Sequence, residues 1–119
     1  MPAITKLAQL IARQEGFGVP GTKPTRDNNP GDLEHGPHIE SWDGAIGIEP
    51  TLADGWADLE RQLKLYAGRG MTLRRMVSIY APPNENDTAA YLSFLCDALG
   101  LSPDTTVEEA LTIPAGVYV

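Results

Sequence analysis

The sequence predicts a mainly α fold of the α+β kind: an opening helix, a small loop-and-hairpin lobe over about residues 16–50, and a helical lobe behind it. Three observations lead there. Apolar residues recur at helical spacing in 4–15, 51–69, 72–80 and 87–99. The stretch 16–50 has no such period and holds most of the glycine and proline. The 119 residues, 42% of them hydrophobic, suffice for one packed core without a linker that would divide two domains, so 1–119 reads as a single domain.

Ile4, Leu7, Ala8 and Ile11 form the stripe of the first helix, and Gly16 stops it. In the irregular lobe, "HIESW", then Asp43-Gly44, then "AIGI" reads as a hairpin, because Asp-Gly favours a two-residue turn. Thr51 caps the next helix, with Asp54 at the third helical position. Leu52, Trp56, Leu59, Leu63 and Tyr66 make its buried face, Glu60 and Lys64 pair on its outside, and Gly70 ends it. Thr72 caps a helix carrying Leu73, Met76, Val77 and Tyr80, which Pro82 and Pro83 end. Another begins at Asn86 or Asp87 and runs to Leu99, with Tyr91, Leu95 and Ala98 on one side and Gly100 as the stop. Thr105 caps a last short helix with Glu108 three residues on, and the tail "IPAGVYV" has no period.

Composition narrows the function. The formal charge is -7 and the pI about 4.6, and the basic residues are scattered, at most in pairs. Nucleic acid is not the expected partner, because phosphate binding needs clustered positive charge. No apolar run of about 18 residues is present to span a membrane. Residues 1–17 read as an amphipathic helix and not as a signal peptide, so synthesis in the cytoplasm is expected, with delivery by something else for any work at the periplasm or cell wall. Cys96 is one cysteine in an apolar helix and reads as a small core residue. His35 and His38 stand three apart with no cysteine beside them, so no metal centre is expected, and no cofactor is implied. A monomer is expected.

Glu15 is the residue that calls for chemistry. At about 100° per residue it falls within about 20° of Ala8 around the helix axis, so it continues the buried stripe. It also stands in the last turn, where the helix dipole disfavours an acid. Both effects favour the protonated form and raise the pKa, which suits a general acid. The alternative is that the helix unwinds by Gln14 and leaves Glu15 in solvent.

The order "acid at the end of the first helix, irregular lobe, helical lobe" is similar to the lysozyme superfamily. "EGF" at 15–17 and "RDNNPGDL" at 26–33 resemble the E-G-F and R-x-N-N-P-G-N-L pattern of small, often phage-encoded, lysozyme-like or lytic-transglycosylase-like domains. "GIEPTLADGWADLERQLKLY" at 47–66 looks like that family's lead into a glycine-containing helix. "TLRRMVSIYAPPNENDTAAYLSFLCDALG" at 72–100 resembles its block ending Y/W-A-P-x-x-E-N-x-T-x-x-Y. The likeness spans residues 4 to about 100. The chain departs from it at Asp32, where Asn is usual, at Glu34, where a basic or aromatic residue is usual, and at Ile48, more often aromatic.

The resemblance implies a glycan strand of peptidoglycan as substrate, cut between N-acetylmuramic acid and N-acetylglucosamine, with Glu15 protonating the leaving oxygen. A hydrolase would want a second carboxylate. Asp27, Asp32 and Asp43 are available, and no spacing singles one out. Lytic transglycosylases work with one Glu, because the substrate's 6-hydroxyl and N-acetyl group take part, and that mechanism is slightly favoured. Asn28 and Asn29 read either as turn residues or as amide contacts to the acetamido groups. Tyr80 reads as core or as a phenol reaching Glu15 or the sugar, Tyr91 as core or cleft wall, and Asn86 as an N-cap or a substrate contact. Trp42 is placed to stack on a sugar ring, Trp56 reads as core, and Arg26 pairs with Asp27 or Asp32 or ties the loop to the body. Two other classes stand beside the enzyme: a catalytically impaired glycan-binding or phage-particle component, to which the change at Asp32 points, and a small acidic interaction module or inhibitor.

Overall fold

The computed structural model describes residues 4–80 and 87–115. The elements run α1 (Lys6–Glu15), α2 (Lys23–Arg26), β1 (Ser41–Asp43), β2 (Ile46–Ile48), α3 (Leu52–Gly68), α4 (Leu73–Tyr80), α5 (Thr88–Leu99) and α6 (Val107–Ala110). The protein is mainly helical with one small antiparallel sheet.

Local chemistry sets most boundaries. Thr5, Thr51, Asp87 and Thr106 each cap a helix by accepting a backbone N–H with the side chain. Gly16 and Gly100 close α1 and α5 in the left-handed conformation, at φ 95° and 70°. The cap of the last helix is therefore Thr106, one residue beyond the expected Thr105. Asp87 is the cap of α5. Asn86, with its expected substrate contact, and Pro82-Pro83 lie outside the described residues.

The core joins the helices. α1 packs on α3 and α5, α5 on α4, and α6 on α3. Leu7, Ile11, Leu59, Leu63, Met76 and Leu95 are fully enclosed at the centre. Cys96 is a free thiol in this core. Two expectations for α3 are corrected. Leu52 is 37% exposed, because the first turn of α3 projects beyond the packed face. Glu60 does not pair with Lys64 outside: it is buried and accepts from the Thr5 backbone N (3.1 Å) and Oγ1 (2.7 Å). It thus clamps the start of α1 to the middle of α3. The tail continues that clamp, since Ile113 O accepts from Lys6 N and Thr5 bridges Pro114.

The lobe before α3 contains one element that periodicity does not reveal. α2 is a single turn behind Thr22, with Pro24 in its first turn, too short for any apolar repeat to register. The hairpin pairs Asp43 with Ile46, so its turn is Gly44-Ala45 and not Asp43-Gly44. Gly44, at φ +65°, takes the left-handed position such a turn demands. Asn29 fastens the lobe. Its side chain donates to Leu33 O (2.9 Å) and Gly47 O (2.8 Å) and accepts from Leu33 N (2.9 Å), joining the Pro-Gly turn to β2. The lobe then reaches α3 at Gly55, where any Cβ would overlap the Asn28 carbonyl.

Candidate active site

Glu15 ends α1 and turns its carboxylate inward, against the alternative of an unwound helix end. Its Oε2 accepts a hydrogen bond from the Tyr91 hydroxyl at 2.9 Å, across the α1–α5 contact. Burial is the largest influence on its charge and raises the pKa to about 7. The Tyr91 bond pulls the other way, and the Asp32 carboxylate adds a smaller push upward.

Asp32 sits in the left-handed region at φ +52°, a conformation that Asp and Asn tolerate among non-glycine residues. Its own pKa is raised, first by burial, with Lys23 opposing and Glu34 adding. Tyr80 completes the group. Its hydroxyl donates to the Gly31 carbonyl, fixing the Pro-Gly turn to α4, and its ring lies 6.4 Å from that of Tyr91. Burial and then the Glu15 carboxylate hold both phenols well above their usual range. Gly31 permits this closeness, since a Cβ there would stand 2.7 Å from Leu59 and 2.8 Å from the Tyr80 oxygen.

A cleft of about 480 Å³ opens beside this group. Asp32, Leu33, Glu34 and His35 form one wall, and Gln62, Tyr66, Ile79 and Tyr80 the other. It therefore lies between the loop lobe and the α3–α4 face. Glu15 does not line it. Its links to the cleft run through Asp32 and Tyr80, which do.

Of the residues singled out from the sequence, the fold gathers Glu15, Asp32, Tyr80 and Tyr91. It separates the others. Asn29 is corrected to a purely internal role: it is 0% exposed and spends its amide on the lobe's own backbone. Asn28 occupies a left-handed turn position, φ +54°, with its carbonyl against α3, and does not line the cleft. Asp43 is bound by Arg26 (2.7 and 2.9 Å) and Lys23, and its pKa is lowered chiefly by Arg26. Asp27 is buried, and burial followed by the Asp43 carboxyl raises its pKa. Of the three carboxylates the sequence offers, Asp32 is the one that acts on the Glu15 charge. Trp42 is 48% exposed, donates Nε1–H to Glu34 O (2.8 Å) and sets its ring edge-on to His35, so it buttresses the cleft wall from outside.

Comparison with protein-family models, with curated proteins and with solved structures finds no match to this chain. The chemistry rests on the side chains alone.

A carboxyl with a pKa of about 7 is about half protonated at neutral pH and can both give and take a proton. Sequence reasoning missed His35, Gln62 and Ile79 as cleft walls; Tyr66 is in the core as expected and also reaches the cleft. Of these three only Ile79, 39% exposed, stands out afterwards as an apolar residue available to a ligand. Among the described residues, the group with metal-ligating atoms close together is His38, Glu49 and Asp58, and none of them lines the cleft. No described helix is long and apolar enough to cross a membrane.

Proposed function

We propose that this chain is a lysozyme-like enzyme that cleaves peptidoglycan glycan strands between N-acetylmuramic acid and N-acetylglucosamine, with Glu15 as general acid and then general base. The single observation that carries this reading is the Glu15 carboxyl, pushed up to about 7 by burial and Asp32 and held by the Tyr91 hydroxyl at 2.9 Å. The motifs shared with the lysozyme-like domains supply the substrate class.

Cleavage passes through an oxocarbenium-like transition state. Glu15 would donate its proton to the leaving glycosidic oxygen. In a transglycosylase it would then take the proton of the substrate's 6-hydroxyl as that oxygen closes an anhydro ring. Burial raises the Asp32 pKa, an environment that disfavours the ionised form a nucleophile needs. That favours the one-carboxylate route over a muramidase. The charge of -7 gives no general attraction to anionic walls, so a phage particle or another carrier would bring the protein to them.

Purified protein should clear a turbid suspension of chloroform-treated Gram-negative cells, and Glu15→Gln should abolish clearing. Mass spectrometry of the released muropeptides should show anhydro ends; reducing ends would make it a hydrolase. That Glu15 does not line the cleft favours one competing reading, a glycan binder without cleavage, which pull-down on insoluble peptidoglycan without clearing would establish.

A further inference from the structure

Three donor groups from three separate segments meet beside α3, on residues that the cleavage reading does not use. His38 Nδ1 lies 2.5 Å from Asp58 Oδ1, and one ligand atom from each of His38, Glu49 and Asp58 falls within 4.8 Å of the other two. Asp58 is buried on the inner face of α3. Glu49 is 1% exposed, and among the described residues no donor reaches either of its carboxylate oxygens, which face the Asp58 carboxylate instead. A buried acid left in this way is under-satisfied, and burying polar groups without partners is costly. His38 is exposed and gives the cluster a way in from solvent.

We propose that His38, Glu49 and Asp58 bind one divalent first-row transition cation of the zinc type. The donor set is one imidazole nitrogen and two carboxylate oxygens, which suits zinc and its neighbours; magnesium and calcium prefer oxygen alone. Two carboxylates and a neutral imidazole around a dication make a site with no net charge, which is what a largely buried position tolerates. Ligand atoms bound at about 2.1 Å to one cation stand roughly 3 to 4 Å apart, so the set closes when Glu49 moves inward and His38 Nδ1 and Asp58 Oδ1, now 2.5 Å apart, separate by roughly 1 Å, with water completing the coordination. The cation takes the place of the proton now between His38 and Asp58.

The surroundings are arranged for this. Asp54 Oδ1 lies 3.6 Å from His38 Nε2, so the ring's second nitrogen faces a carboxylate. That carboxylate favours a proton on Nε2 and frees Nδ1 as ligand, as outer partners of metal-bound histidines do. Asp54 is itself steadied by the Thr51 hydroxyl at 3.0 Å. Asp58 Oδ2 accepts from His38 N at 3.2 Å and lies where a Cβ on Gly36 would meet it, so only glycine lets the loop come this near. A bound cation would pin the loop at His38 and the chain leaving β2 to α3, behind the wall formed by Glu34 and His35.

The test uses the full chain without an affinity tag, stripped with EDTA and titrated with Zn²⁺ alone. One Zn²⁺ per chain should bind, and the melting temperature should rise, while Mg²⁺ at the same concentration does neither. His38→Ala and Glu49→Gln should each weaken Zn²⁺ binding by about a hundredfold or more, Asp54→Asn by about tenfold, and His35→Ala should leave it unchanged. His38 is exposed, so circular dichroism of His38→Ala should match the parent, and that variant decides the matter even if Glu49→Gln fails to fold. No binding by the parent chain, or binding retained by His38→Ala, overturns the proposal.

Discussion

Tyr91 donates its hydroxyl to Glu15 at 2.9 Å across 76 residues of sequence. That bond is the only one of the three main influences on Glu15 that favours its charged form. It therefore sets how far burial and Asp32 can raise the acid, and it can be removed with one atom.

Tyr91→Phe should raise the Glu15 pKa above about 7, since the bond it removes lowers that pKa. The ring stays in place, so the stability cost should be about 1 kcal/mol. A ¹³C NMR titration of the Glu15 carboxyl reads the shift. If Glu15 is the general acid, the alkaline limb of the pH–activity profile moves up with it.

Asp32→Asn should move Glu15 the other way. It removes the negative charge that raises the pKa, and Asn accepts the φ of +52° as readily as Asp. The same titration should show a downward shift smaller than the part due to burial. Thermal melting should be unchanged or slightly improved, because a buried oxygen of Asp32 now lacks a partner.

Glu15→Gln should stabilise the protein at alkaline pH and, if Glu15 is the general acid, end activity. The folded pKa of about 7 lies above the ordinary 4.5, so the folded state binds more protons between those values and stability falls as pH rises through them. The loss at pH 8 is at most roughly 3 kcal/mol. Gln carries no such loss and can still accept from Tyr91. Urea denaturation at pH 4 and pH 8 should show the variant close to the parent at the first and more stable at the second.

Asn29→Ala should destabilise the fold by about 3 kcal/mol or more, because it leaves the Leu33 N–H and the Leu33 and Gly47 carbonyls unpaired in the interior. Urea denaturation of the variant beside Asn28→Ala, whose side chain holds no such set of bonds among the described residues, separates the two asparagines.

Much of this protein is written in short-range rules. The caps at Thr5 and Thr51, the glycine stops at 16 and 100 and the 3.6-residue stripes are decided within a few residues of chain, and they were readable. The errors lie where that range ends. α2 is shorter than a helical repeat, and the hairpin turn moved by one residue because Asp43 pairs across the strand. Glu60 looked like a surface partner of Lys64 until the start of α1 came down on it.

The sequence by itself determined where the longer helices lie and that Glu15 ends the first one on its buried side, because a helix's period and its caps are local matters. Only the tertiary structure decided which groups would share that acid's surroundings. Tyr91 and Asp32 reach it through the packing of α1 against α5 and the folding-over of the loop lobe, while Asp27 and Asp43, with the same chemistry, are taken by each other and Arg26. Charge and hydrogen bonding act over a few ångströms of space, whatever the distance along the chain, and burial by the whole core sets their strength.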